Sequence, residues 1–418
     1  MSGRLPDDCF ALPPGVDWTP VDTALDRLRQ SMRPVTGTET LPLAEAGGRI
    51  LAIPAMARRD NPPAANAAVD GYAFAWDSLG GVADADLILA EGRAAAGHSH
   101  PGRLEPGQAL RILTGAELPS GADTVVLQED CTIVDGRVRF PAPKKPGANR
   151  RAQGEDARTG QDVLPAGRRL TGADLARLAV AGVAEVAVRR LLRVAVLSTG
   201  DELIQPGADP SAPGIFDANR PMLLALAGRM GFRPVDLGAV ADEAGAVRKA
   251  LSRGAAEADA IVTSGGASAG DEDHISRLLA EEGRLSIWRI AVKPGRPLAL
   301  GQWQGVPLFG LPGNPVAAFL CFLVFARPAL ETMAGGDWST PQGFAVPAGF
   351  TKRKKPGRRE FLRARIAQDG RAEIFHSEGS GLVGGLSWAE GFVELPDGAL
   401  EIAPGDPVRY IPYASFGI

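Results

Sequence analysis

The spacing of apolar residues changes character several times along the chain. Thr19-Pro20-Val21-Asp22 predicts a helix start, with Thr19 able to cap, Pro20 suited to the first turn and Asp22 favouring the positive end; Pro34 ends it. From Ile50 to Phe140 the helical period disappears. Short apolar runs (Leu87 to Leu89, Leu110 to Leu113, Thr124 to Leu127) are punctuated by Gly and Pro, as in a β-rich module. Helical patterning returns at Thr171, where Thr171 and Asp174 form a capping pair and Gly182 a stop, so helical segments bracket the β-rich one. The run Leu192 to Leu197 reads as a buried parallel strand. It is followed by a helix from about Ala218 to Met230, a strand near Val235 to Val240, a helix near Glu243 to Ala256 and the strand Ala260 to Thr263. This alternation predicts a doubly wound α/β domain. Beyond a helix from Pro315 to Leu330, alternating strands (Glu360 to Ile366, Ala372 to Phe375, Gly391 to Leu395) predict a small β domain.

Composition supports this modular picture: 418 residues, 45% hydrophobic and 22% charged, have material for two to four cores. The formal charge of −4 offers no basic field for nucleic acid. The first ten residues lack the pattern of a secretory signal, and the longest apolar run, Val316 to Ala326, is too short to cross a bilayer, so a cytoplasmic protein without membrane partners is expected. Cys9, Cys131 and Cys321 are too scattered for zinc or disulfides, and His98 and His100 read as an exposed turn. No nucleophile elbow, Walker loop or dinucleotide fingerprint is present.

Chemistry concentrates where strands of the α/β domain end, the place at which open parallel sheets bind ligands. Ser264-Gly265-Gly266-Ala267-Ser268-Ala269-Gly270-Asp271-Glu272-Asp273 has the small residues that let backbone N–H groups approach an anion, ahead of a helix whose positive end would add to the attraction. Lys293-Pro294-Gly295-Arg296-Pro297 and Leu311-Pro312-Gly313-Asn314-Pro315 are rigid loops that each close an apolar run. The first holds cations in place for a polyanion. Glu202, Asp242, Asp271 and Asp273 facing the same crevice would repel phosphate unless a hard divalent cation lay between, and Mg2+ is the natural bridge.

These loops occur together with Asn66-Ala67-Ala68-Val69-Asp70-Gly71-Tyr72-Ala73, Arg111 to Ala116, Arg151 to Asp156, Ser198 to Leu203 and Asp217 to Arg220. In this order and over nearly the whole chain, the set resembles the molybdopterin molybdenumtransferases, the bacterial MoeA proteins, whose relatives include the C-terminal domain of gephyrin. The resemblance implies an elongated helical domain (10–55 and 148–188), a β-rich inserted domain (56–147), a central α/β domain like the molybdopterin adenylyltransferases (189–332) and a C-terminal β-barrel-like domain (333–418). It also implies a homodimer in which Asp70 and Thr114 reach across to the other subunit's cleft. Asp242, Asp273 and Glu202 match acids of the metal and pterin pocket. Lys293 with Arg296 matches the basic loop, Pro312 and Gly313 the molybdate loop, and Arg358 and Ser380 an arginine and a serine lent by the last domain. Ser264, Gly265, Gly266, Ser268 and Arg289 complete the implied substrate contacts. Val69 stands where Met is usual, Arg289 and Arg296 replace lysines, and Gly384-Gly385 stands where many members carry serines.

The activity so implied is Mg2+-dependent insertion of molybdate into adenylylated molybdopterin with release of AMP. The adenylyltransferase and recipient molybdoenzymes would be partners. Adenylyl transfer to molybdopterin and a non-catalytic, gephyrin-like scaffold are the competing readings; the additional domains weigh against the first and the retained acids against the second.

Overall fold

A computed structural model describes residues 18–265, 274–295 and 297–418, with backbone alone at 286–288 and 297. Helix α1 (Val21–Ser31) buries Val21, Ala24 and Leu28, an apolar stripe one turn apart, against the core of the central domain rather than in the elongated one. Thr19 does not cap it. Its backbone instead bonds the central domain, the Thr19 N–H donating to the Arg289 carbonyl at 2.9 Å and the Ala291 N–H donating to Thr19 at 2.9 Å.

Residues 38–55 and 157–188 share a separate hydrophobic cluster that includes Leu51, Leu164, Leu178 and Val188. Within them α2 (Gly172–Val180) starts on the expected Thr171–Asp174 capping box and stops ahead of Gly182. The remainder is strand: Thr38–Pro42 pairs antiparallel with Glu185–Arg189, and Ala55–Met56 with Asp162–Leu164. The segment carries less helix than its two end patterns predicted, because the stripe of α1 finds its apolar partner elsewhere. Between these halves lies a six-stranded sheet, in the order Thr124–Leu127, Gly71–Phe74, Gln108–Ile112, Asp84–Ala94, Arg137–Pro141, Thr132–Val134.

In the central domain the strands run in the order Arg233–Val240, Arg193–Thr199, Ala260–Ser264, Val306–Leu311, Pro297–Trp303, Arg284–Arg289. The first four are parallel and the last two antiparallel. The antiparallel edge follows from a two-residue turn, Gln304-Gly305, with both φ angles positive, the geometry that folds a tight hairpin. Alternation along Arg193–Thr199 sends Val194 and Val196 to one face and Ala195 and Leu197 to the other. The first face meets α3 (Asn219–Arg229) and α6 (Pro315–Met333), and the second meets α4 (Ala244–Glu257) and α5 (His274–Glu281).

Helix α6 is long and apolar enough to cross a membrane by length and composition, unlike the shorter run read from the sequence. It is the core helix here, with 83% of its apolar window buried inside the protein. Past Ala326 the buried Arg327 guanidinium is fully engaged, donating to the Leu323 carbonyl at 3.2 Å and to Ser339 Oγ and carbonyl at 2.6 and 2.9 Å. The last domain is a sheet in the order Val292–Lys293, Arg359–Ile366, Gly391–Leu395, Pro407–Pro412, Phe344–Pro347. Its first strand comes from the central segment of the chain, so the basic loop is hydrogen-bonded into the C-terminal sheet, Lys293 opposite Glu360.

Candidate functional site

Three strand-end segments meet at the carboxyl edge of the central sheet. Gly265 has φ +87°, and a Cβ there would lie 2.7 Å from the Thr199 carbonyl, so only glycine lets this loop rest on its neighbour. The Gly265 N–H donates to the Leu311 carbonyl at 3.2 Å, and Gly313 faces Gly265 closely enough that its Cβ would sit 3.9 Å from the Gly265 Cα. Asn219, buried at the start of α3, donates through Nδ2 to Ser264 Oγ and to the Gly313 carbonyl, both at 2.6 Å. One amide thereby ties the Ser264 loop to the Pro312–Gly313 loop. Asp217 fixes that amide's helix: its Oδ1 accepts from the N–H groups of Asn219 and Arg220 at 3.2 and 3.1 Å. Asn219 lies inside the Asp217 to Arg220 motif, and its place two residues after a capping Asp is the sequence signal for its role. Gly266, Ser268, Asp273 and Arg296 lie outside the described residues.

Glu202 and Asp242 follow adjacent parallel strands. The Glu202 carboxylate folds back over Gly200, where an added Cβ would meet Oε2 at 2.6 Å, and the Asp242 N–H donates to Asp201 Oδ1 at 2.8 Å. Carboxylate oxygens are the donor type Mg2+ selects, so the chemistry of this edge fits a hard cation. Among the described residues, however, no three acidic, His or Cys side chains are grouped around one point.

Lys293 stands where the central and C-terminal domains touch. Its Nζ lies 2.6 Å from Glu378 Oε2 and 3.6 Å from Glu360 Oε1. Lys352 completes a square of charges, 3.3 Å from Glu360 Oε2 and bonded to the second Glu378 oxygen. Burial raises the Glu378 carboxyl, but the bonds from Lys293 and Lys352 outweigh it and hold the group below the usual carboxylate range. Burial likewise lowers the Lys352 ammonium, and its two acids more than reverse that. A narrow cleft lies between Lys293, Val316, Phe361, Phe375 and Glu378. The loop carrying Glu378 is held from behind by buried Arg363, which donates to the carbonyls of Leu382 at 2.6 Å and Gly379 at 3.1 Å and covers the Phe375 ring at 4.8 Å. Gly385 packs tightly beside it, where a Cβ would fall 2.4 Å from the Arg363 guanidinium. The Ser380 backbone carbonyl accepts the Val316 N–H at 3.1 Å, so this loop meets the start of α6 just beyond Pro312 and Gly313. Gly295 packs on the same helix; its Cβ would lie 3.0 Å from Cys321 Sγ and 3.7 Å from the Pro312 ring. Arg358 is half-buried in the turn before the Arg359–Ile366 strand, and Arg289 is exposed at the end of its own strand. Lys352, Glu360, Arg363 and Glu378 were not legible as site residues. Glu360 comes beside Lys293 through the parallel pairing of Val292–Lys293 with Arg359–Glu360, and Glu378 reaches it from its loop.

In the inserted module, Thr114 donates to Asp70 Oδ1 through both its N–H and its hydroxyl, each at 2.7 Å. These bonds keep the exposed Asp70 carboxyl below its ordinary range, with a smaller contribution from Arg111. Gly71 opens the strand that follows and lets it lie close on its neighbour: a Cβ there would sit 1.8 Å from the Val126 carbonyl. The bonds of Asp70 and Thr114 to each other are complete within their own module, separate from the Lys293 cleft.

Three family descriptions match in chain order: the MoeA N-terminal region (domain I and II) over residues 19–182, a probable molybdopterin binding domain over 195–332 and the MoeA C-terminal region (domain IV) over 345–413. A molybdopterin molybdenumtransferase from Haemophilus influenzae is 34% identical over 94% of this chain and 98% of its own. One from a Nostoc species is 37% identical over 71% and 70%. A solved molybdopterin biosynthesis MoeA protein from Pyrococcus horikoshii superposes with a TM-score of 0.81 at 27% identity, covering 95% of this chain and all of that one.

Proposed function

The chain belongs to the molybdopterin molybdenumtransferase family and is a transferase of molybdenum cofactor biosynthesis; we propose that it inserts molybdate into adenylylated molybdopterin in the cytoplasm, in a Mg2+-dependent step that releases AMP. The observation that carries this reading is the convergence of the Ser264–Gly265, Pro312–Gly313 and Lys293 segments with the Ser380 loop. Such a junction offers a nucleotide-bearing anion loop amides on one side and a tetrahedral oxyanion a basic cleft on the other.

The phosphates are held along Ser264, Gly265, Gly266 and Ser268, and molybdate docks beside Lys293, Arg296, Pro312, Gly313 and Ser380, with Arg289 and Arg358 at the margins. Glu202, Asp242 and Asp273 would hold Mg2+, which when bound offsets the charge of the pyrophosphate. The protein's share of the acceleration is positioning and charge neutralisation, with no covalent enzyme intermediate. The Asp70–Thr114 pair completes the cleft of a second subunit in a homodimer, which fits a bonded unit whose partners lie within its own module.

Release of AMP from adenylylated molybdopterin, measured with and without molybdate and Mg2+, tests the reading. Molybdate-dependent AMP is the expected product. Adenylylation of molybdopterin from ATP in the same preparation would overturn it in favour of adenylyl transfer.

A further inference from the structure

The cleft that should attract an oxyanion already holds an anion of its own. Lys293 and Lys352 are both bonded to Glu378, one to each carboxylate oxygen, while Glu360 pairs with the same two lysines from the sheet. Two ammonium groups and two carboxylates leave the cluster formally neutral, so the positive field expected of Lys293 is cancelled as the cluster stands. The two acids differ in their freedom to leave. Glu360 is a buried strand residue with 9% of its side chain exposed, whereas Glu378 is 43% exposed and sits on a loop. The backbone of that loop is pinned by Arg363 and by the Ser380 bond to α6, so only the Glu378 side chain is free to turn away. A carboxylate presenting two oxygens to two lysines is a placeholder for two oxygens of a tetrahedral oxyanion. Lysine ammonium groups, as rotatable point charges, exchange such partners more readily than a planar guanidinium does.

We infer that Glu378 is an internal gate for the oxyanion, occupying Lys293 and Lys352 until a dianion of the molybdate class displaces its carboxylate. The gate rests on the reading of this cleft as the oxyanion site. It predicts that removing the charge strengthens anion binding, whereas a merely structural Glu378 would make its loss weaken binding by loosening the lysines.

The test is calorimetric titration of the full-length protein with molybdate, and separately with sulfate, for the unaltered chain, Glu378→Gln and Glu378→Ala. Thermal melts check that the variants fold. In both variants affinity for either dianion is expected to rise about tenfold, the scale on which loss of one half-buried charge acts. Unchanged or weaker binding in a folded variant overturns the gate while leaving the molybdate reading intact. Absence of binding to all three proteins, with molybdate-dependent AMP release preserved, overturns the gate by placing the oxyanion elsewhere; absence of both overturns the reading of the cleft itself.

Discussion

Arg359 and Glu360 are neighbours on one strand, so their side chains leave the sheet on opposite faces, and each anchors a charged cluster. On one face the Arg359 guanidinium makes two parallel bonds of 2.7 Å to Asp22 at the start of α1, and lies 3.3 and 3.4 Å from Asp397 and Glu394. On the other face Glu360 and Glu378 share two lysines. The first cluster surrounds one cation with three acids and fixes it by a planar fork, which raises the arginine's proton affinity further. The second balances charges that are individually exchangeable. The first cluster clamps α1 to the C-terminal sheet and the second joins Lys293 to the loop of Glu378, although both look alike as lists of ion pairs.

Lys293 carries the largest expected effect. Lys293→Ala is expected to lower molybdate-dependent AMP release about 100-fold or more, the scale of removing a charge aimed at the reacting anion, with little change in unfolding midpoint. A folded variant with full turnover would show the second cluster to be as structural as the first. Arg359→Ala should do the reverse. Three carboxylates lose their shared cation, so chemical denaturation should register a loss of about 2–4 kcal/mol while molybdate affinity holds.

Asn219→Ala sharpens the contrast by removing a neutral tie. Losing its bonds to Ser264 and Gly313 is expected to cost about 1–3 kcal/mol and to weaken binding of adenylylated molybdopterin more than binding of molybdate, as read by separate titrations. The smallest effect belongs to Asp22→Asn, at most about 1 kcal/mol for a pair with one exposed partner. Its signature is the pH dependence. The bonds from Arg359 outweigh burial and depress the Asp22 carboxyl in the folded state, so its contribution is complete above the unfolded value of 3.8 and fades as pH falls through the lower folded one. Denaturation curves of the variant should therefore lose less stability on acidification than those of the unaltered chain.

Local patterns along the chain were enough to read several elements in every domain. The β-branched run Leu192 to Leu197, the capping box at Thr171 and the strands Thr124–Leu127 and Gly391–Leu395 stand close to where their periods predicted, because each depends on neighbours within a few residues. The small residues at Gly265 were legible as a close-approach loop, but that a side chain at Gly71 or Gly265 would collide with a carbonyl of the adjacent strand appears only in the fold. Helix α1 was legible as a helix but not in its allegiance, since an apolar stripe specifies that it must be buried and not against what.

The family, the α/β alternation and the Lys293, Ser264 and Pro312 segments were legible along the chain because each is encoded in contiguous residues. Tertiary structure alone decided that Val292–Lys293 joins the C-terminal sheet, that Glu378 and Lys352 meet around it and that Asn219 ties two loops. Those are contacts between residues 26 to 94 positions apart. They arise from strand pairing and domain packing, in which any of many residues could have faced the site, so no local period or spacing encodes which ones do.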